Sequence, residues 1–157
     1  MSKHGFRVIF KDMEYKKRLA DDVLRDKLEA SGAVLVEGAK WCGKTTTSKQ
    51  IAKSVLYMQE PAQKKQNLLM ADTNPSLLLQ GKVPRLIDEW QLAPKLWDAV
   101  RFEVDQRDDF GQFILTGSAV PPDTSEISHS GTGRISRMLM RPMSLLESGE
   151  SNGSVSL

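Results

Sequence analysis

The chain has 157 residues, enough for one domain with its own core. Hydrophobic residues make up 39% and charged residues 27%, and the net charge of +2 is too mild to indicate nucleic acid as a partner. No apolar run reaches the ~20 residues of a membrane helix, the start Met1-Ser2-Lys3-His4-Gly5 lacks a signal-peptide core, and the single cysteine excludes an internal disulfide; a cytoplasmic location without membrane contact is expected.

Residues 1–13 read as an N-terminal arm. Residues 14–31 read as a helix, with Leu19, Val23, Leu24 and Leu28 at helical spacing and Gly32 as its stop. Tyr15, at its start, reads first as a packed tyrosine and second as a cover for an adenine ring. Ala33-Val34-Leu35-Val36-Glu37 is a short apolar, β-branched run, the pattern of a buried strand.

Gly38-Ala39-Lys40-Trp41-Cys42-Gly43-Lys44-Thr45 follows at once, with the spacing G-x-x-x-x-G-K-T. Strand, glycine loop and helix in that order build an anion cradle, because loop N–H groups and a helix N-terminus converge on a phosphate. Gly38 and Gly43 permit backbone angles that a Cβ obstructs. Residues 38–46, through Thr46, are the expected nucleotide-binding set; Lys44 would reach the terminal phosphates and the Thr45 hydroxyl would hold Mg²⁺. Residues 46–54 are expected to continue as a helix, with Ile51, Ala52 and Val55 on one face.

Val55-Leu56-Tyr57-Met58 reads as a second strand. Residues 59–67 read as polar and non-helical, with Pro61 as a breaker, and 67–70 fit neither template clearly. Asn74-Pro75 reads as a helix start that Gly81 ends. Pro84-Arg85-Leu86-Ile87-Asp88-Glu89 is a short apolar strand that ends in two carboxylates. In a nucleoside triphosphatase Asp88 would hold Mg²⁺ beside Thr45, and Glu89 would act as general base towards water.

Ala93-Pro94 opens a further helix with Leu96, Val100 and Val104 on its apolar face. Gln112-Phe113-Ile114-Leu115-Thr116 is the most strand-like run, and Thr116, ahead of Ser118, is the polar residue expected between the phosphate loop and the acidic pair. Residues 119–133, including His129, read as a loop. Arg134 is a candidate for stabilising charge on a γ-phosphate, in its own chain or in a neighbouring subunit of a homo-oligomer, ahead of Arg137. Residues 135–140 read as a last strand, Ser144 as the cap of a short helix through Glu147, and residues 148–157 as a linker or truncated tail. The core domain is expected over residues 14–147, as an α/β three-layer fold with a mainly parallel sheet of about five strands.

The phosphate loop, the segment Leu86-Ile87-Asp88-Glu89-Trp90-Gln91-Leu92-Ala93-Pro94, the run Phe113-Ile114-Leu115-Thr116-Gly117-Ser118 and His129-Ser130-Gly131-Thr132-Gly133-Arg134 occur in order. Together they resemble the AAA-type ATPase domain of a large prokaryotic family in which a second domain follows. The resemblance implies an AAA+-like core, ATP with Mg²⁺, Asp88 and Glu89 as the acidic pair, and Thr116 as a polar sensor; it also makes the chain look truncated before that second domain. The expected function is ATP hydrolysis driving a conformational change, with an unidentified protein client. A nucleotide-dependent switch with little turnover is the alternative, ahead of a nucleic-acid motor or a small-molecule P-loop kinase. A GTPase is not expected, since no Asn-Lys-x-Asp motif occurs.

Overall fold

The computed structural model describes residues 14–117 and 134–149. Five strands form one all-parallel sheet: β1 (Ala33–Glu37), β2 (Ser54–Tyr57), β3 (Arg85–Asp88), β4 (Phe113–Gly117) and β5 (Ile135–Leu139), in the order β2-β3-β4-β1-β5. Helices α1 (Leu19–Ala30), α2 (Lys44–Ile51), α3 (Lys64–Thr73), α4 (Lys95–Arg107) and α5 (Leu145–Ser148) precede, connect or follow them. The expected three-layer architecture is therefore present.

A parallel sheet is covered on both faces, so its strands are apolar on both sides. The alternation of side chains divides them cleanly. Ala33, Leu35, Leu56, Ile87, Phe113 and Leu115 pack on one face against Leu96, Trp97, Val100 and Val104 of α4. Val34, Val36, Leu86, Ile114 and Met138 pack on the other, against Leu24 and Leu28 of α1. Gly32 joins α1 to β1 because a Cβ there would lie 2.1 Å from Val104 Cγ1.

Several local expectations need correction. The first helix starts at Leu19, not residue 14, and Leu19 and Val23 are exposed while Leu24 and Leu28 carry the packing. Helix α2 stops at Ile51, so Ala52 is its C-cap and Val55 belongs to β2. Its buried positions are the polar Lys44, Thr47 and Ser48. Residues 64–73 are a helix, because Pro61 lies before that helix and so interrupts none of its hydrogen bonds. Pro75–Leu79 is a 3₁₀ turn rather than an α-helix. Ser144 does cap the short α5: its side chain accepts from Glu147 N. Among the described residues no helix is long and apolar enough to cross a membrane. The arm at 1–13, Ser118, the segment 119–133 with His129, and 150–157 lie outside the described residues.

Candidate functional site

In an all-parallel sheet every strand ends on the same edge, and ligands collect there. Glu37 at the end of β1 leads into the phosphate loop, and Asp88 at the end of β3 leads into Glu89. Strand β4 lies between them and pairs Thr116 with both Val36 and Asp88. The topology thus brings the three motifs to one place.

The loop is shaped by its glycines. Gly43 has φ 96°, a left-handed conformation, and caps the N-terminus of α2. A Cβ on Gly38 would lie 2.3 Å from the Met140 carbonyl oxygen. Lys44 is buried, and its Nζ donates to the Gly38 and Ala39 carbonyls at 2.8 Å each. The ammonium is thereby held along the inside of the turn. Cys42 is buried, with Sγ 3.9 Å from Lys44 Nζ. Trp41, at φ 65°, is 99% exposed.

Thr45 Oγ1 donates to Asp88 Oδ1 at 2.5 Å, and Thr116 Oγ1 donates to the same oxygen at 2.7 Å. Thr116 is fully buried and faces Asp88, so in this structure its hydroxyl serves the carboxylate. The hydroxyl of Thr45 and the carboxylate of Asp88 are adjacent hard oxygens, the donors Mg²⁺ prefers; it takes one or two protein groups and completes its shell with phosphate and water. Two oxygen donors of this kind suit Mg²⁺ better than a closed zinc site, which takes four ligands, mostly Cys sulfur and His nitrogen.

Glu89 adopts φ 59° and ψ 48°, left-handed for a residue with a Cβ. Strain of this kind concentrates at functional sites. A cavity of about 440 Å³ is lined by Lys40, Trp41, Gly43, Lys44, Thr45, Thr46, Gln59, Asp88 and Glu89. The lysine and both carboxylates therefore face one space.

A larger cavity of about 790 Å³ adjoins the loop, lined by Tyr15, Arg18, Trp41, Cys42, Thr47 and Met143 among others. Tyr15 Oη donates to the Asp21 carboxylate at 2.6 Å and lies 3.2 Å from Thr47 Oγ1. Burial pushes the Tyr15 phenol above its ordinary pKa, and the bond to Asp21 adds to the rise. Arg18 is buried; it donates to the Cys42 and Arg141 carbonyls at 2.8 Å each and pairs with Glu147 at 3.1 Å.

Arg134 is not brought to this site. Its carbonyl accepts from Ala33 N at the start of β1, and its side chain pairs with Asp105 of α4. That is the edge of the sheet opposite the phosphate loop, so Arg134 cannot reach a phosphate held by its own chain. The own-chain expectation failed because the position of a residue relative to a parallel strand, not its nearness to a glycine-rich run, decides which edge it occupies. Arg137, exposed, pairs with Glu37 and lies over the Trp97 ring. Two residues were missed as contributors. Gln91 contacts Glu89, and its signal in sequence is a polar residue two places after the acidic pair. Arg18 contacts the loop backbone and carries no sequence signal of that role.

A family model described as an AAA domain matches residues 30–148, which span the phosphate loop, the acidic strand end and β4. The chain belongs to the AAA-domain family. The chain is also 30% identical, over 141 residues, to an uncharacterised protein of Mycobacterium bovis and to one of Mycobacterium tuberculosis. Each alignment covers 88% of this chain and 32% of the relative. The chain thus spans about a third of the length of the curated relatives it matches. Family membership makes the AAA domain a nucleotide-binding, ATPase-like module.

Proposed function

We propose that the chain binds ATP with Mg²⁺ and hydrolyses it to ADP and phosphate. The observation that carries the reading is the cavity of about 440 Å³ lined jointly by Lys44, Thr45, Asp88 and Glu89. Lys44 and the loop N–H groups stabilise negative charge that develops on the phosphates. Thr45 and Asp88 hold the magnesium ion, which neutralises phosphate charge when bound. Glu89 accepts a proton as a water oxygen bonds to the γ-phosphorus and the bond to the bridging oxygen of ADP breaks. The cavity beside Tyr15 and Thr47 is of a size to take the nucleoside, with the Tyr15 ring as one wall. Work done on a client, and an arginine supplied by a neighbouring copy, belong to the same proposal for the whole protein.

The test is Glu89→Gln, measured by ATP binding and by phosphate release. Binding within about twofold of wild type, with turnover reduced by roughly 10²–10⁴-fold, supports a general base. Unchanged turnover removes Glu89 from that role. Tight binding by the wild type with no phosphate release leaves a nucleotide-dependent binding module instead.

A further inference from the structure

We infer that Gln91 is the positioning residue for Glu89, and that Gly117 exists to make room for it. This rests on the hydrolase reading above. The left-handed residue Glu89 opens a single 3₁₀ turn, Trp90–Leu92, which contains Gln91. There Gln91 Nε2 donates to Glu89 Oε2. The other end of the amide, Oε1, is buried and has no hydrogen-bond partner among the described residues. It lies against the end of β4: a Cβ on Gly117 would come within 2.6 Å of it and within 3.1 Å of Trp90 Nε1.

Apolar packing alone does not call for an amide here. A buried acceptor without a partner is unfavourable, and a Leu or Met of similar volume would fill the slot without one. Such an atom calls for an explanation, and a role in orienting a catalytic group is one. What the amide supplies is its donor end: a neutral N–H that orients a carboxylate without neutralising it, as a lysine or arginine would. The end of β4 thereby holds both acids. Thr116 fixes Asp88 through its hydroxyl, and Gly117 fixes Glu89 indirectly by leaving the Gln91 amide its slot.

The experiment uses the full chain with Gln91→Leu and Gly117→Ala, each checked for folding by circular dichroism. For Gln91→Leu we expect kcat to fall roughly 10–100-fold, the range seen when an orienting partner is removed. KM and the ATP dissociation constant should stay within about twofold, the split that marks loss of an interaction made in the transition state alone. Gly117→Ala should reproduce that split by displacing the amide, and should add less in the Gln91→Leu background than in the wild type. A readout independent of activity is the Gln91 side-chain amide signal in a proton–nitrogen spectrum, which should move in Glu89→Gln. A wild-type kcat in both variants, or an amide signal that ignores Glu89→Gln, overturns the inference while leaving hydrolysis intact. Equal weakening of kcat and ATP binding overturns it as well. A wild type without turnover fails the hydrolase reading itself and takes this inference with it. Should Gln91→Leu not fold, Gly117→Ala and the amide signal decide.

Discussion

Thr45, on the first turn of α2, donates to Asp88, at the end of β3, across 2.5 Å, although 43 residues separate them in the chain. The pair exists because two parallel strands deliver a helix start and a strand end to the same edge of the sheet. If that pair binds Mg²⁺, Asp88→Ala should weaken ATP binding roughly 10–100-fold in the presence of the metal. In EDTA, variant and wild type should bind alike. Calorimetric titration in both buffers checks this; an equal loss in EDTA refutes metal binding by Asp88.

Gly38→Ala should destabilise the fold by about 1–3 kcal/mol, the usual range for overpacking. The added Cβ would meet the Met140 carbonyl at 2.3 Å and Cys42 Sγ at 2.9 Å, and the backbone oxygen cannot move aside as a flexible side chain does. Gly149→Ala is the control: its φ is also positive, but nothing lies within 4 Å, so a loss of about 1 kcal/mol or less is expected. Urea denaturation of both variants makes the comparison.

Glu147 should give the fold an acid-sensitive component. N–H groups of Ser144 and Leu19, with help from the Ser144 hydroxyl and the Arg18 guanidinium, hold its carboxyl down from the ordinary 4.5 to about 2. The unfolded chain therefore binds the proton more tightly than the folded one. The contribution is complete above the ordinary pKa and fades as pH falls from about 4.5 towards 2. Denaturation midpoints across that window should fall less steeply for Glu147→Gln than for wild type; parallel curves would reject the linkage.

Trp41 should report nucleotide directly. It is 99% exposed and borders both cavities, whereas Trp90 and Trp97 are buried against each other with ring centroids 5.1 Å apart. ATP binding should change the solvent-exposed part of the tryptophan emission, and Trp41→Phe should abolish the change while binding persists. A response that survives Trp41→Phe would place its origin in the buried pair.

The sequence made some of these relationships legible and concealed others for physical reasons. Strand β1 was readable to the residue, because a parallel strand buried on both faces is an unbroken apolar run and a phosphate loop fixes its end. Helix α3 was not, since only Asn67 and Ala71 of its ten residues are buried, too few to write a helical pattern. The acidic pair was visible as residue types, but the backbone reversal at Glu89 that brings Gln91 onto it was not, because Glu is no usual choice for a left-handed position. Arg134 was misplaced for an own-chain role because its nearness to a glycine-rich run was weighed above its place at the start of a parallel strand, which puts it at the edge away from the phosphate loop.

Arg18, at the entrance to α1, gathers three other stretches of chain onto one guanidinium: the loop carbonyl at Cys42, the Arg141 carbonyl after β5, and Glu147 of α5. It works as a keystone. Because it holds the loop carbonyl at Cys42 and also borders the cavity of about 790 Å³, a substitution there loosens cradle and scaffold together, and a mutational screen would score Arg18 with the nucleotide contacts even where the loss is one of masonry.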